Sequence, residues 1–568
     1  MASSNPCAVA IADAIAAVTG VPASDIKVEA PPRPELGDFA VGMFPVAKAL
    51  KQPPPAVAAR VAAALPREGL IASAEAAGPF VNLRVDRAAT FRWLVEHATR
   101  LVPAIGEGKT VCVDYSSPNI SKHLAYHHIR STMLGHALVE IHRALGYRVI
   151  RINHLGDWGT THGMLLSAYA RWGSEYATID VTALNELYVR FRAAMKEDPS
   201  LEADARAWFK RLEDGEPEAR ARWKQFRDVS LAEFEAVYQD LGVEFDDWSG
   251  ESFYEDKMPE VLQLIADKQL SVESEGALVI ELPGEKTPLL LKTRDGTTLY
   301  ATRDLAAALH RWRTYHFDRS LYVVDRGQSL HFRQLFKALA LMGFAWADRC
   351  VHVPFGLVRF GGKKTSTRGG AEGRFLLKEV FAEAADEVRA KIAEVNPDMP
   401  PDQLEQVARE VGIGAVVFAN VLPQRDKDVD FDWDKVLSIS GDSGPYLQYT
   451  HARCASIGRR AGGWPEGVPD LALLTHDLEW AVARRLLDFG DHVARAAAAC
   501  EPHIVAHYLL DLAGDLSRWY TGGNADASLR VLAEDPATRA ARLALVRLTQ
   551  QTLASGLGML GLAAPQVM

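Results

Sequence analysis

Residues 110–131 read TVCVDYSSPNISKHLAYHHIRS, and this stretch decides the fold. TVCVDYSS alternates like a strand, and the Pro118–Asn119 pair turns the chain after it. A helical pattern is expected from about Lys122 to Leu145, stopped by Gly146 in the position where a left-handed residue ends a helix. YRVIRIN, residues 147–153, follows as a second strand. Strand, crossover helix and strand form a βαβ unit, so the sequence predicts the parallel sheet of a nucleotide-binding domain.

The same stretch gathers Lys122, His123, His127 and His128, and three readings of them stand open. His123 and His127 are spaced i, i+4, which on a helix puts two imidazoles on one face, as in a metal site. Leu124, Ala125 and Tyr126 lie between them, however, so the glutamate of a zinc hydrolase is missing, and no third ligand follows at a family-like distance. The second reading is phosphate binding, which a helix start facing the end of a first parallel strand favours. The third is an ordinary solvated helix face. Farther on, FGGKKTSTRGG at 360–370 offers Lys363, Lys364 and Arg368 either to a triphosphate or to water.

Working outward, the 568 residues are 48% hydrophobic and 24% charged, enough for roughly three to four domains. A net charge of -10 argues against a uniformly basic surface, yet local arginine patches can still hold a nucleic acid. The five cysteines include no C-x-x-C pair and suit reduced thiols, which points to the cytoplasm. IADAIAAVTG near the start is interrupted by Asp13 and has no basic residue before it, unlike a secretory signal. No apolar run reaches the ~18 residues of a membrane span.

The first hundred residues read as a small α/β domain, with a boundary near VPAIGEGK at 102–109. From about Leu165 to Lys268 the chain turns helical and densely charged, as an insertion in the sheet domain. ALVIEL, PLLLKT, SLYVVD and VHVPFGLV are expected to resume the sheet, which finishes before residue 440. Beyond it the chain reads as helices whose positive charge is all arginine. Arginine suits phosphate contact, and it also suits GC-rich codon usage.

Together these pieces resemble the class I aminoacyl-tRNA synthetases. SSPNISK before HLAYHHIRST stands in the place of their HIGH signature, and KTSTR in that of KMSKS. INHLGDWGTTHG, DGTTLYATRDLAAA, YVVDRGQSLHF, DFDWDKVLS and GDSGPYLQYTHAR narrow the likeness to the arginyl-tRNA synthetase family. ELGDFA with GPFVNL, and the closing RLALVRLTQQTLASGLGMLGLAAPQVM, resemble its two tRNA-contacting end domains. The resemblance implies an α/β multidomain chain. A Rossmann-like catalytic domain at 106–440 with its helical insertion would lie between an N-terminal α/β tRNA-binding domain at 1–105 and an all-α anticodon-binding domain at 441–568.

It further implies that arginine is activated by ATP and transferred to the 3′-terminal adenosine of tRNA(Arg), commonly with tRNA bound first. Tyr300 and Asp304 would then grip the guanidinium, while Asp114, Asn119 and Gln328 would hold the substrate's amino and carboxylate groups. Lys122, His127, His128 and Lys364 would meet ATP, with Lys122, His128, Lys363, Lys364 and Arg368 serving catalysis. ATP as substrate, Mg²⁺ with it, no structural metal, no membrane contact and a cytoplasmic monomer complete the expectation.

The chain departs from the pattern in two places. Where the signature runs His-x-Gly-His it has Ala125, Tyr126, His127 and His128, losing the first histidine and replacing the glycine that admits an adenine ring. Thr367 takes the place of the second loop lysine, a loss for which Lys122 matches a compensating family lysine. Two alternatives follow: a paralogue that binds tRNA or arginine without catalysis, and a ligase with another acceptor, against which the two end domains speak. His123 precedes the block and is expected to point elsewhere.

Overall fold

The computed structural model describes residues 3–294, 298, 300–360, 363–364 and 376–568. At its centre lies a parallel four-stranded sheet in the order Cys350–His352, Arg319–Tyr322, Thr110–Asp114, Arg148–Ile152. Alternate residues of Thr110–Asp114 feed opposite cores: Val111 and Val113 enter one, and Cys112 packs with Ile150 and Ile152 in the other. Both faces are therefore covered, which is why the strand reads as a nearly continuous apolar run.

The crossover between the two strands of the predicted βαβ unit is the helix His128–Ala144. Gly135 lets it sit directly on the strand end, since a Cβ there would come within 2.2 Å of the Tyr115 side chain. It ends as the sequence suggests: Gly146 has φ 83°, and the Tyr147 amide donates to the His142 carbonyl. Its start corrects the sequence reading by six residues, from Lys122 to His128. The cause is competition for the backbone. The Leu124 carbonyl accepts from the Leu377 amide, Ala125 bridges to Leu376, and the Ala125 amide donates to His128 Nδ1. Residues 122–127 are consequently not helical, and the one-face argument for a His123/His127 metal pair falls away.

The segment before them is strained and tied down. Ser116, Ser117 and Ser121 have φ of 68°, 51° and 66°, left-handed values that cost non-glycine residues about 1–3 kcal/mol each. Hydrogen bonds hold them there. The Ser116 amide donates to Ser131 Oγ, Ser116 Oγ meets Thr132 Oγ1 and the Tyr238 hydroxyl, and the Ser121 amide donates to Ser230 Oγ.

A second correction concerns ALVIEL and PLLLKT, which do not join the parallel sheet. Ser271–Ser274, Ala277–Ile280 and Leu289–Lys292 form a separate antiparallel sheet. The reason lies in the turn: Glu275 and Gly276 both have positive φ, 51° and 80°, the geometry of a two-residue hairpin that pairs neighbouring strands locally. Ile280, Leu289 and Leu291 then pack with Leu305, Ala306 and Leu309 of the helix Tyr300–Tyr315. VHVPFGLV is also divided. Cys350–His352 ends the parallel sheet, whereas Val358–Phe360 pairs with Lys363–Lys364 and Val429–Phe431.

The helical insertion runs from Thr160–Trp172 through Pro217–Leu241 to Met258–Asp267. Much of it has a core of its own, centred on Leu166, Leu184, Phe191, Leu212 and Phe226. The N-terminal region is a four-stranded antiparallel sheet with helices, and the C-terminal region is helical from Gly444–Arg460 to Pro536–Met559. These two ends meet where Trp480 Nε1 donates to Asp38 at 2.9 Å and Arg87 pairs with Asp477 at 2.9 Å. No helix among the described residues is long and apolar enough to cross a membrane.

Candidate active site

Parallel sheets present their ligand crevice outside the carboxyl ends of the strands. Asp114 ends one strand of the central sheet, His154 stands just beyond the next, and the 3₁₀ turn Arg326–Gln328 follows a third. The helix Tyr300–Tyr315 joins them, bringing Tyr300, Asp304 and Arg311 to one face at i, i+4 and i+11.

Asp304 is anchored in this crevice through one of its two oxygens. Its Oδ2 accepts from His331 Nε2 at 2.6 Å, while Oδ1 stands 3.9 Å from His154 Nε2. Burial works to raise its pKa, but the hydrogen bond from His331 and the nearby His154 and Arg311 charges outweigh burial and hold the carboxyl below its ordinary value. Tyr300 is 59% exposed and meets the His331 ring edge-on at 5.1 Å. Asp114 is engaged on both oxygens: Oδ2 pairs with the buried Arg311 at 2.8 Å, and Oδ1 accepts from Ser117 Oγ at 3.0 Å. Burial opposes the Arg311 charge, yet Asp114 raises its pKa well above the ordinary value. Asn119 is exposed and bridges to Gly156, where a Cβ would lie 1.9 Å from its Oδ1. Gln328 is exposed at the end of its turn, whose Gly327 amide donates to Asp325 at 2.7 Å.

Just ahead of the crossover helix, His127 and His128 lie with ring centres 4.0 Å apart, tilted by 38°. His128 Nδ1 faces its own backbone, 3.0 Å from the Ala125 amide and 3.2 Å from the Ala125 carbonyl. Burial, then the His127 charge, pushes the His128 pKa well below its ordinary value, so this imidazole is a neutral donor at pH 7. Lys122 lies with its ammonium 5.6 Å from the Tyr188 ring centre, and its charge helps depress His128. His123 turns toward the insertion instead, with Nδ1 2.6 Å from Glu233 and Nε2 3.3 Å from Thr182. Lys363 and Lys364 form a short strand paired with Phe360 and Arg359. Arg368 lies outside the described residues.

The family model for class I tRNA synthetases (R), catalytic domain, matches residues 92–433. The chain belongs to the arginyl-tRNA synthetase family of class I. The arginyl tRNA synthetase N-terminal domain model matches residues 7–85, and the DALR anticodon-binding domain model residues 447–568. Similar proteins include the arginine–tRNA ligase of Exiguobacterium sibiricum, 43% identical over 95% of each chain, and that of Clostridium perfringens, 42% identical over 94% of each. The Thermus thermophilus arginyl-tRNA synthetase structure superposes with a TM-score of 0.83 at 30% identity, covering 98% of this chain and 99% of that one. Arginyl-tRNA synthetase from Plasmodium falciparum shares the fold, with a TM-score of 0.79 at 20% identity over 98% of each chain.

Several residues around the synthetase crevice escaped the sequence reading. Arg311 carries a signal after the fact, since it lies seven residues beyond Asp304 on the same helix face. Glu251, in GESFYE, carries none. Burial pushes its pKa up to about 7, with Arg303 pulling down and Asp304 adding to the rise. Arg303 is 3.2 Å from it and also pairs with Glu255 at 2.8 Å. His331 is separated from Asp304 by 27 residues, so only the fold brings the two together.

Proposed function

We propose that this crevice carries out arginine–tRNA ligation, the activity of the family to which the chain belongs. The observation that carries the reading is Asp304, an anchored carboxylate at the strand ends with Glu251 in electrostatic range. A guanidinium is always charged and is met best by a planar carboxylate in a fork of two hydrogen bonds. Asp304 supplies that fork, Tyr300 a phenol one helical turn away, and Glu251 a second carboxylate that the incoming cation ionises fully. Asp114, Asn119 and Gln328 hold the substrate's amino and carboxylate groups.

An oxygen of the arginine carboxylate attacks the α-phosphorus of ATP and pyrophosphate leaves. A ribose hydroxyl of the tRNA's terminal adenosine then attacks the arginyl carbonyl and AMP leaves. Such chemistry needs position and positive charge more than a protein nucleophile. Lys122 supplies charge, His128 donates from Nε2 to a phosphate oxygen, and His127 packs against the adenine in place of the glycine. Lys363, Lys364 and Arg368 belong to the loop that meets the phosphates. Mg²⁺ arrives with the nucleotide. Among the described residues no three metal-ligating side chains converge.

The division into 1–105, 106–440 and 441–568 assigns tRNA contact to the end domains and chemistry to the middle one. We read the protein as a cytoplasmic monomer. The departures at Ala125 and His127 favour one rival, a paralogue that binds without catalysis. Arginine-dependent charging of tRNA, followed on acid gels, separates the two. Arginyl-tRNA should accumulate and require ATP; a tRNA-induced shift in melting temperature with no arginyl-tRNA would favour the rival.

A further inference from the structure

We infer that His331 is a positioning residue for arginine selection: as a hydrogen-bond donor it fixes the Asp304 carboxylate in the plane that a guanidinium fork requires. The inference rests on the assignment of Asp304 to the guanidinium.

A carboxylate on a helix is free to turn about its last torsion, where the energy profile is broad and two-fold. A fork of two parallel N–H···O bonds accepts only a narrow range of that torsion. His331 Nε2, 2.6 Å from Oδ2, is the hydrogen-bond partner the carboxylate has within its crevice among the described residues; His154 Nε2 stands at 3.9 Å from Oδ1, beyond hydrogen-bonding reach. One oxygen is thus pinned, and Oδ1 together with the second lone pair of Oδ2 is left for the ligand.

The imidazole is itself held. Tyr300 approaches it edge-on at 5.1 Å and Phe332 at 5.3 Å, and its side chain is only 12% exposed. It sits in the first turn of the helix Ser329–Leu341, three residues after Gln328. One rigid helix start therefore serves both ends of the amino acid, Gln328 at the backbone groups and His331 behind the carboxylate that reads the side chain. A lysine or arginine there would also anchor Asp304, but it would neutralise the carboxylate and repel the substrate cation.

The test is steady-state adenylation with tRNA present, measured on His331→Gln, His331→Leu and His331→Lys, with folding checked by melting temperature. His331→Leu should raise the arginine KM about tenfold while kcat and the ATP KM change less than about threefold, because the loss is of ligand orientation alone. His331→Gln, which restores a hydrogen-bond donor of similar reach, should recover most of the affinity. His331→Lys should be worse than His331→Leu. A residue that merely supports the fold would not rank the three in that order. An unchanged arginine KM in His331→Leu, equal rises in the arginine and ATP KM, or rescue by lysine but not glutamine would each overturn the inference. Asp304→Asn run beside them separates the two levels: if it too leaves the arginine KM unchanged, the guanidinium assignment itself has failed, whereas a raised KM there beside a silent His331→Leu removes only the role of His331.

Discussion

The two ends of the crevice are built on different principles. The end proposed for arginine stands on regular elements, with Tyr300, Asp304 and Arg311 along one helix and His331 in the first turn of another. The end proposed for phosphate stands on 116–127, an irregular segment with three left-handed serines that precedes its helix. The difference matches the two tasks. Reading a guanidinium demands a carboxylate fixed in direction, and rigid helices provide it. Holding phosphates demands positive charge and donors at about the right place, which several residues can share. The signature departs from its family pattern at the end where position is less tightly specified.

That contrast predicts a hierarchy of effects. The largest is at the arginine end: Asp304→Asn should leave the fold intact and cost about 2–4 kcal/mol of arginine recognition, a loss of roughly 30- to 10³-fold in kcat/KM seen mainly in KM. An unchanged KM would remove Asp304 from the guanidinium site. Next, Lys122→Ala should slow adenylate formation by about 10²-fold in single turnovers, and Lys122→Arg should recover only part of it. If the alanine variant keeps pace with the parent, Lys122 does not compensate for the lysine missing at Thr367. Smaller still, His127→Gly should shift the ATP KM a few-fold with kcat nearly constant, since the change touches adenine fit and leaves the phosphates alone.

His136, His142 and His162 are pushed down to about 4 by burial, from an ordinary value of 6.5. Their neutral forms are the folded forms, so nothing is lost above pH 6.5. As pH falls from 6.5 toward 4 the unfolded chain binds protons that the folded chain refuses, costing about 1.4 kcal/mol per pH unit for each group. Urea midpoints should therefore drop steeply across that window. A flat profile between pH 6.5 and 5 would show these imidazoles to be accessible.

The sequence spoke clearly where the determinants are local. TVCVDYSS, the helix ending at Gly146 and YRVIRIN predicted the βαβ unit because periodicity and a cap residue suffice for each. It misplaced ALVIEL and PLLLKT because a strand's apolar run says nothing about its partner. The deciding feature there, two successive positive φ at Glu275 and Gly276, was carried by a Glu-Gly pair rather than a common Asn-Gly signal. The helix start at His128 was hidden for a related reason, since Leu124 and Ala125 bond to residues near 376, some 250 positions away. At the proposed site, Asp304 is singled out by its motif, whereas the nearness of His331 and Glu251 to it depends on the fold.

Residues 122–128 are proposed to form the nucleotide end of a working synthetase despite the altered signature. ATP–pyrophosphate exchange with tRNA and arginine present, compared across the intact chain, His128→Ala and His123→Ala, tests it directly. Arginine-dependent exchange is expected in the intact chain, with a strong loss in His128→Ala and little change in His123→Ala, whose ring is occupied with Glu233 and Thr182. A silent His128→Ala beside a dead His123→Ala would contradict it and require the nucleotide site to be placed elsewhere.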